Sequence, residues 1–250
     1  MATAVVHYSA AAVSDRGRKR PSNEDAFGYS IEHGVYLVCD GMGGAAAGEI
    51  ASSLAVDEVM RVLTGRAADA PLEAALDEAV SAANEAIYSR SQSNANLSGM
   101  GTTMVSIVAE ESHVRVVNVG DSRCYRLRGG HMEQVTQDHS LVEEQVRAGR
   151  MTAAEALRSP LRNVITRALG TQSRVTPDIF ELEAEPGDLF LLCSDGLTRE
   201  LPDSRIESLL ASGLSRAGAE LADLCIQLVE AANRAGGGDN ITCLLLQGSR

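Results

Sequence analysis

An α+β fold, with antiparallel sheets covered by helices, is predicted by three observations. About ten apolar runs have strand length, most neighbours are joined by tight turns rather than long crossovers, and the helical patterns occur in pairs. Residues 26–31 and 35–39 read as strands joined by a turn containing Gly34. From Gly48 to Leu63, Ile50, Leu54, Val59 and Leu63 recur at helical spacing. Pro71 suits a helix first turn, and Leu72, Leu76, Ala79, Val80, Ala83 and Ile87 carry a second helix. Residues 102–109, 114–119 and 124–127 form a strand meander with turns near 110–112 and 120–122, and 131–135 can add a strand.

The stretch 137–163 is polar, contains Gly149 and ends at Ser159-Pro160 before the run 164–169; short helices and a surface flap are expected there. Strands return at 179–182 and, after the Pro186-Gly187 turn, at 189–193. Helices near 202–210 and 216–234 and a final strand at 241–246 complete the pattern. No repeat or linker divides the chain, so one domain over 1–250 is expected, with a flap subdomain at about 138–164.

The bulk properties narrow the function. The chain has 250 residues, 44% hydrophobic and 22% charged, enough for a substantial core. Aromatics make up 3% and Trp is absent, so that core must be built from Val, Leu, Ile and Ala. A formal net charge of −12, with no basic patch interleaved with aromatics, argues against nucleic acid as a partner. No apolar run reaches the ~18 residues that span a bilayer, and no signal peptide is visible, so a soluble, cytoplasmic protein is expected. The five cysteines, Cys39, Cys124, Cys193, Cys225 and Cys243, form no Cys-x-x-Cys pair and read as buried reduced thiols.

Four aspartates stand in short polar knots at the ends of apolar strand-like runs: Asp40, Asp121, Asp195 and Asp239. A carboxylate at the end of a buried strand is costly unless something neutralises it. Three of the four have no basic residue adjacent in sequence, which points to a shared hard cation held by oxygen ligands. Two other readings of Asp40-Gly-Met-Gly-Gly44 are weaker. Gly41-x-Gly43-x-x-Ala46 fits a permissive dinucleotide-binding fingerprint, but the acid expected ~20 residues later would be Asp57 or Glu58, inside the predicted helix. A Walker loop fails because no Gly-Lys-Ser or Gly-Lys-Thr follows.

Eight motifs occur in one order: Arg20-Pro-Ser-Asn-Glu-Asp-Ala-Phe27, Asp40-Gly-Met-Gly-Gly44, Gly101-Thr-Thr103, Gly120-Asp-Ser-Arg123, Asp138-His-Ser140, Ile165-Thr-Arg-Ala-Leu-Gly170, Ser194-Asp-Gly196 and Gly238-Asp-Asn240. Over roughly residues 12 to 247 the chain thereby resembles the metal-dependent protein phosphatases (the protein phosphatase 2C, or PPM, family), and its compact form resembles the bacterial branch. The resemblance implies a four-layer α-β-β-α sandwich, two antiparallel sheets flanked by helix pairs, with a metal cleft at one end. It implies that Asp40 bridges two Mn²⁺ or Mg²⁺ ions, that Asp195 and Asp239 complete one, and that the Gly41 carbonyl binds the other, which Glu24 serves through water. Asp121 matches a ligand of a third, weaker metal shared with Asp195. Arg20 matches the arginine that grips substrate phosphate, a task suited to a guanidinium fork. Asp25 and Asn240 are expected to support the site from behind.

Oxygen ligands suit Mg²⁺ or Mn²⁺ and argue against zinc. The implied reaction is hydrolysis of phosphoserine or phosphothreonine by direct attack of a metal-bridging hydroxide, with no covalent phosphoenzyme. Arg123 and Arg167 are expected in structural ion pairs, Thr102 and Thr103 in structural roles, and Asp138 as an N-cap for the flap helix, with His139 a weaker catalytic candidate. One departure stands out. Positions 42 and 45, where many members offer a histidine as proton donor, are Met42 and Ala45, so general acid work is assigned to water, with the third site as its place. The implied partners are phosphorylated Ser/Thr proteins, including a bacterial Ser/Thr kinase, acted on by a monomer. The alternatives are a phosphatase of a phosphorylated anti-sigma antagonist and a catalytically inactive phosphatase fold used for binding. Arg20 and the segment 163–170 favour the general phosphatase over the first.

Overall fold

The structure, a computed structural model, describes residues 6–43, 47–216 and 218–250. The elements are β1 (His7–Asp15), β2 (Asp25–Ser30), β3 (Val35–Met42), α1 (Ala47–Thr64), α2 (Leu72–Ser93), β4 (Gly101–Thr102), β5 (Met104–Glu110), β6 (His113–Val119), β7 (Arg123–Arg128) and β8 (His131–Gln134). They continue with α3 (Leu141–Arg147), α4 (Ala153–Ala156), β9 (Asp178–Glu183), β10 (Leu189–Cys193), α5 (Asp195–Thr198), α6 (Asp203–Leu214), α7 (Leu221–Ala235) and β11 (Ile241–Ser249). One sheet has the order β1-β11-β10-β7-β8 and the other β2-β3-β5-β6-β9, with β4 added beside β3; all their pairings are antiparallel.

The apolar runs become central strands because both of their faces are covered. Along β3, Val35, Leu37 and Cys39 face α1 and α2, while Tyr36 and Val38 face the other sheet. Along β10, Leu189, Leu191 and Cys193 face α6 and α7, whereas Phe190 and Leu192 turn into the space between the sheets. Three apolar layers therefore stack between four layers of backbone, and the α-β-β-α architecture follows. Small residues bring α1 close: Ala51, Ala55 and Ser52 are fully buried on its sheet-facing side.

Several boundaries differ from expectation. β1 was not anticipated; its Ser9, Ala10, Ala11 and Ala12 carry little strand signal, and it forms by pairing with β11 from His7↔Ser249 to Asp15↔Ile241. The expected strand 102–109 is broken at Thr103 into β4 and β5. Pro71 caps α2 from outside rather than occupying its first turn. The last long helix begins at Leu221 rather than near 216, because Gly218 takes φ +74, outside the helical region. Asp138 does not cap the flap helix; the side chain of Ser140 does. Within 138–164 lie α3 and α4, with Leu157 and Leu161 exposed.

Candidate active site

Asp40 lies near the end of β3, where the strand break at Thr103 holds its backbone from two directions. Asp40 N–H donates to Thr103 Oγ1 (3.0 Å), and Asp40 C=O accepts from Thr103 N–H (2.9 Å) and Thr102 Oγ1 (2.9 Å). The two threonines expected to be structural thus fasten the carboxylate-bearing residue. Asp25 opposes Asp40 across the β2–β3 ladder. Its Oδ2 accepts from Ser194 Oγ (2.8 Å) and Thr242 Oγ1 (2.7 Å), which ties β2 to β10 and β11 in the other sheet. Asp195 opens α5 directly after β10, and Asp239 sits just before β11. The ends of both sheets therefore deliver their acids to one place.

Glycines permit the approach. A Cβ on Gly41 would stand 2.1 Å from the carbonyl oxygen of Gly48 and 2.6 Å from that of Glu24. A Cβ on Gly196 would meet the Asn240 carbonyl oxygen at 1.9 Å. No side chain fits at either position. Asn240 fastens the loop that carries Arg20 and Glu24: its Oδ1 accepts from Glu24 N–H (2.9 Å), and its Nδ2 donates to the carbonyls of Arg16 (2.9 Å) and Ser22 (2.8 Å).

A cleft of about 460 Å³ results, lined by Arg20, Glu24, Asp40, Gly41, Asp195 and Asp239. A second recess of about 350 Å³ adjoins it beneath the flap; it is lined by Asp121 and shares Asp195, Arg199 and Asn163 with the first. Asp121 is thus next to Asp195 but on the flap side. Asp25 and Asn240 lie behind the cleft. Met42 lines the cleft, whereas Gly44, Ala45 and Ala46 lie outside the described residues.

The electrostatics of the cleft are unbalanced. Burial pushes the Asp40 carboxyl well above the usual range, and Asp25, Asp195, Asp121 and Asp239 add to that push. Asp195 is raised by burial and by Asp121, against the pull of Arg199. Asp121 is pushed up to about 6, chiefly by burial, with Arg199 opposing. Asp25 is likewise pushed up to about 6 by burial, despite its two hydroxyl donors. Burial also raises Glu24. Three buried carboxylate oxygens, on Asp25, Asp121 and Asp195, have no hydrogen-bond partner. Orphaned hard oxygens beside several like charges are a donor set suited to Mg²⁺ or Mn²⁺.

Two arginines supply the positive charge present. Arg20 contacts Asp239 Oδ2 at 2.8 Å. Arg199 reaches Asp195 Oδ2 with one nitrogen and Asp239 Oδ2 with another, the latter at 3.0 Å. Among the described residues, no three Asp, Glu, His or Cys side chains close into a finished cation cage. Arg199 is the residue that sequence reasoning missed. The available signal was its spacing, four residues after Asp195 on what proves to be a short helix, which brings the two side chains to one face.

Other motif residues are structural. Arg123 donates three hydrogen bonds to Asp138, at 2.7–3.0 Å. Arg167 pairs with Asp178 at 2.6 Å. His139 is buried; its Nδ1 accepts from Gly120 N–H (3.0 Å), so its Nε2–H donates to Asp178 Oδ2 (3.1 Å), and it lines neither cavity.

A sequence profile described as Protein phosphatase 2C matches residues 15–231. The serine/threonine phosphatase stp of Listeria innocua is 38% identical over 240 residues, covering 94% of this chain and 93% of that protein. The serine/threonine protein phosphatase PstP of Mycobacterium tuberculosis is 41% identical over 248 residues, covering 97% of this chain but 45% of that protein. The crystal structure of M. tuberculosis PstP/Ppp superposes with a TM-score of 0.89 at 38% identity, covering 98% of this chain and all of that one. A structure of the PstP catalytic domain in complex with two manganese ions gives 0.86 at 36% identity, covering 98% and 100%.

Proposed function

The chain belongs to the protein phosphatase 2C family, and from that premise we propose that it is a Mn²⁺- or Mg²⁺-dependent enzyme that removes phosphate from serine and threonine residues of proteins. The observation that carries this reading is the cluster of buried, like-charged carboxylates at the ends of the central strands, with unpartnered oxygens on Asp121 and Asp195. Asp40, Asp195 and Asp239, with the Gly41 carbonyl and Glu24, are the residues that would hold two cations. Asp121, beside Asp195, would hold a third. When bound, the cations supply Lewis-acid activation of water and neutralise charge on the phosphoryl group.

The remaining work falls to the chain's own groups. Arg20, half exposed at the cleft rim, offers a guanidinium fork to two phosphoryl oxygens. Asp25 and Asn240 keep Asp40 and the Arg20 loop in place through the contacts described above. The leaving alkoxide takes its proton from water beside Asp121, since His139 faces Asp178 and Met42 has no proton to give. Loss of alkyl phosphoester turnover in Asp121→Asn across a Mn²⁺ series tests that assignment; unchanged turnover rejects it. We assign the activity to a single domain over 1–250 with a flap at about 138–164, acting as a monomer on phosphoproteins that include a Ser/Thr kinase. We place its site of action in the cytoplasm; no helix among the described residues is long and apolar enough to cross a membrane.

A pure binding scaffold would have no use for mutually repelling buried acids, and the relatives' names describe general Ser/Thr phosphatases rather than an anti-sigma phosphatase. The decisive experiment is hydrolysis of p-nitrophenyl phosphate and a phosphothreonine peptide with Mn²⁺, with Mg²⁺ and with chelator. Both substrates should turn over with metal, and neither should with chelator. Turnover that survives chelation would sink the proposal.

A further inference from the structure

We infer that Arg199 is a built-in competitor of the divalent cation: its guanidinium engages one oxygen each of Asp195 and Asp239, two of the proposed metal ligands, so full coordination of the cation requires Arg199 to give up those contacts. The inference rests on the assignment of Asp195 and Asp239 as metal ligands. It concerns a residue that lies in none of the motifs by which the family was recognised.

The geometry is specific. One terminal nitrogen of Arg199 contacts Asp195 Oδ2 and the other stands 3.0 Å from Asp239 Oδ2, so a single planar fork spans two carboxylates that are 44 residues apart in sequence, one opening α5 and the other in the loop before β11. Arg20 reaches the same Asp239 oxygen at 2.8 Å. Each carboxylate oxygen offers two lone pairs, so Asp239 Oδ2, which takes both Arg20 and Arg199, has none left for a metal, while Asp195 Oδ2 gives one of its two to Arg199. The partner oxygens tell the same story from the other side. Asp195 Oδ1 has no hydrogen-bond partner at all, and Asp239 Oδ1 accepts from the backbone N–H of Asn240 at 2.9 Å. Arg199 thus satisfies the pair only in part.

The arginine also has somewhere to go. Its backbone is secured independently, with its N–H donating to the Asp195 carbonyl at 2.8 Å. Its side chain borders both the main cleft and the recess beneath the flap, with Asp195 between them. Rotation about its side-chain bonds carries the charge from the first cavity toward the second without moving α5. There Asp121, whose Oδ1 is also unpartnered, lies within the range over which Arg199 already acts on it electrostatically. A fork that holds two ligands together and then yields sets the metal affinity of the site, while preventing the carboxylates from driving each other apart.

Calorimetric titration of MnCl₂ into chelator-stripped protein tests this directly, with thermal melts of the same samples in chelator as a second readout. Arg199→Gln removes the fork and its charge. Arg199→Lys keeps the charge but replaces two spread nitrogens with one, which cannot bridge both carboxylates. Competition predicts Mn²⁺ binding about tenfold tighter in Arg199→Gln, equivalent to about 1.4 kcal/mol. It also predicts clearly tighter binding in Arg199→Lys, and lower melting temperatures for both variants in chelator. Equal or weaker Mn²⁺ binding in Arg199→Gln overturns the inference. Wild-type affinity in Arg199→Lys overturns it too, because only through-space repulsion would then remain. Absence of Mn²⁺ binding to the wild-type protein would overturn the metal assignment with it, whereas Mn²⁺ binding that ignores both substitutions overturns this inference alone.

Discussion

Two groups of acids differ in whether the protein completes them, and Asp121 belongs to the first, with Asp25, Asp40 and Asp195. In the other group Asp138, which lines the recess beneath the flap, receives three hydrogen bonds from Arg123, and Asp178, at the start of β9, is held by Arg167 and His139. Burial opposes ionisation of Asp178, yet the hydrogen bonds from His139 and Arg167 outweigh it and hold the carboxyl below its usual range. In and around the cleft, Asp25, Asp40, Asp121 and Asp195 are all pushed upward, with burial the largest cause in each. Asp40 forms no ion pair among the described residues. The same side chain is therefore a finished structural joint in one place and, on the proposed reading, part of a cation's ligand set in the other.

Opposite signs on substitution would sharpen that contrast most. Asp40→Asn should cost at least about 10³-fold in phosphatase rate, yet stabilise the chelator-treated protein by about 1–3 kcal/mol, because a buried like charge is removed. A variant that loses both activity and stability would erase the distinction between the two groups. Arg123→Ala should do the reverse. It leaves Asp138 buried without its fork and should lower unfolding free energy by about 2–4 kcal/mol in urea titrations, with kcat largely kept. Arg20→Ala should raise KM for a phosphopeptide by about 10- to 100-fold while changing kcat much less, since it removes a contact to substrate rather than to the cation. A kcat effect as large as that of Asp40→Asn would move Arg20 from substrate binding into the chemical step.

The smallest effect is the pH dependence, and its sign separates the groups. Asp25 and Asp121 have folded pKa values of about 6 against an ordinary value of 3.8, so between those limits the folded state binds more protons than the unfolded one. Stability of the chelator-treated protein should therefore fall as pH rises from about 4 to about 6. Asp178, held below its usual range, contributes with the opposite sign, and its stabilisation is lost only at lower pH, as the carboxyl protonates. Melting temperatures that rise from pH 4 to 6 in chelator would contradict the cleft assignment. Added Mn²⁺ should flatten or reverse the slope, because it binds the ionised carboxylates.

Legibility in the sequence followed the range of the interactions. β3, β10 and β11 were readable because both faces are buried and their composition shows it. β1 was not, since a run of Ser and Ala becomes a strand only when β11, at the far end of the chain, supplies its ladder. Asp40, Asp195 and Asp239 were conspicuous as acids at the margins of apolar runs. Ser140 rather than Asp138 caps α3 because the helix begins at Leu141, two residues later than the motif suggested, while Asp138 pairs with Arg123, 15 residues away. Likewise, the supporting role expected of Asn240 acquired its content, three bonds to the Arg20 loop, only from the folded arrangement.

By itself the sequence determined the layered α+β class, the strand-end acids and their likeness to a phosphatase family. Those features depend on periodicity, burial and short motifs, which are local along the chain. Tertiary structure alone decided which charges distant in sequence meet. Arg199 lies four residues from Asp195 and 40 from Asp239, yet closes a fork across both, because α5 and the loop before β11 converge at one end of the sandwich. Electrostatic partnership depends on distance in space, and only the fold sets that distance.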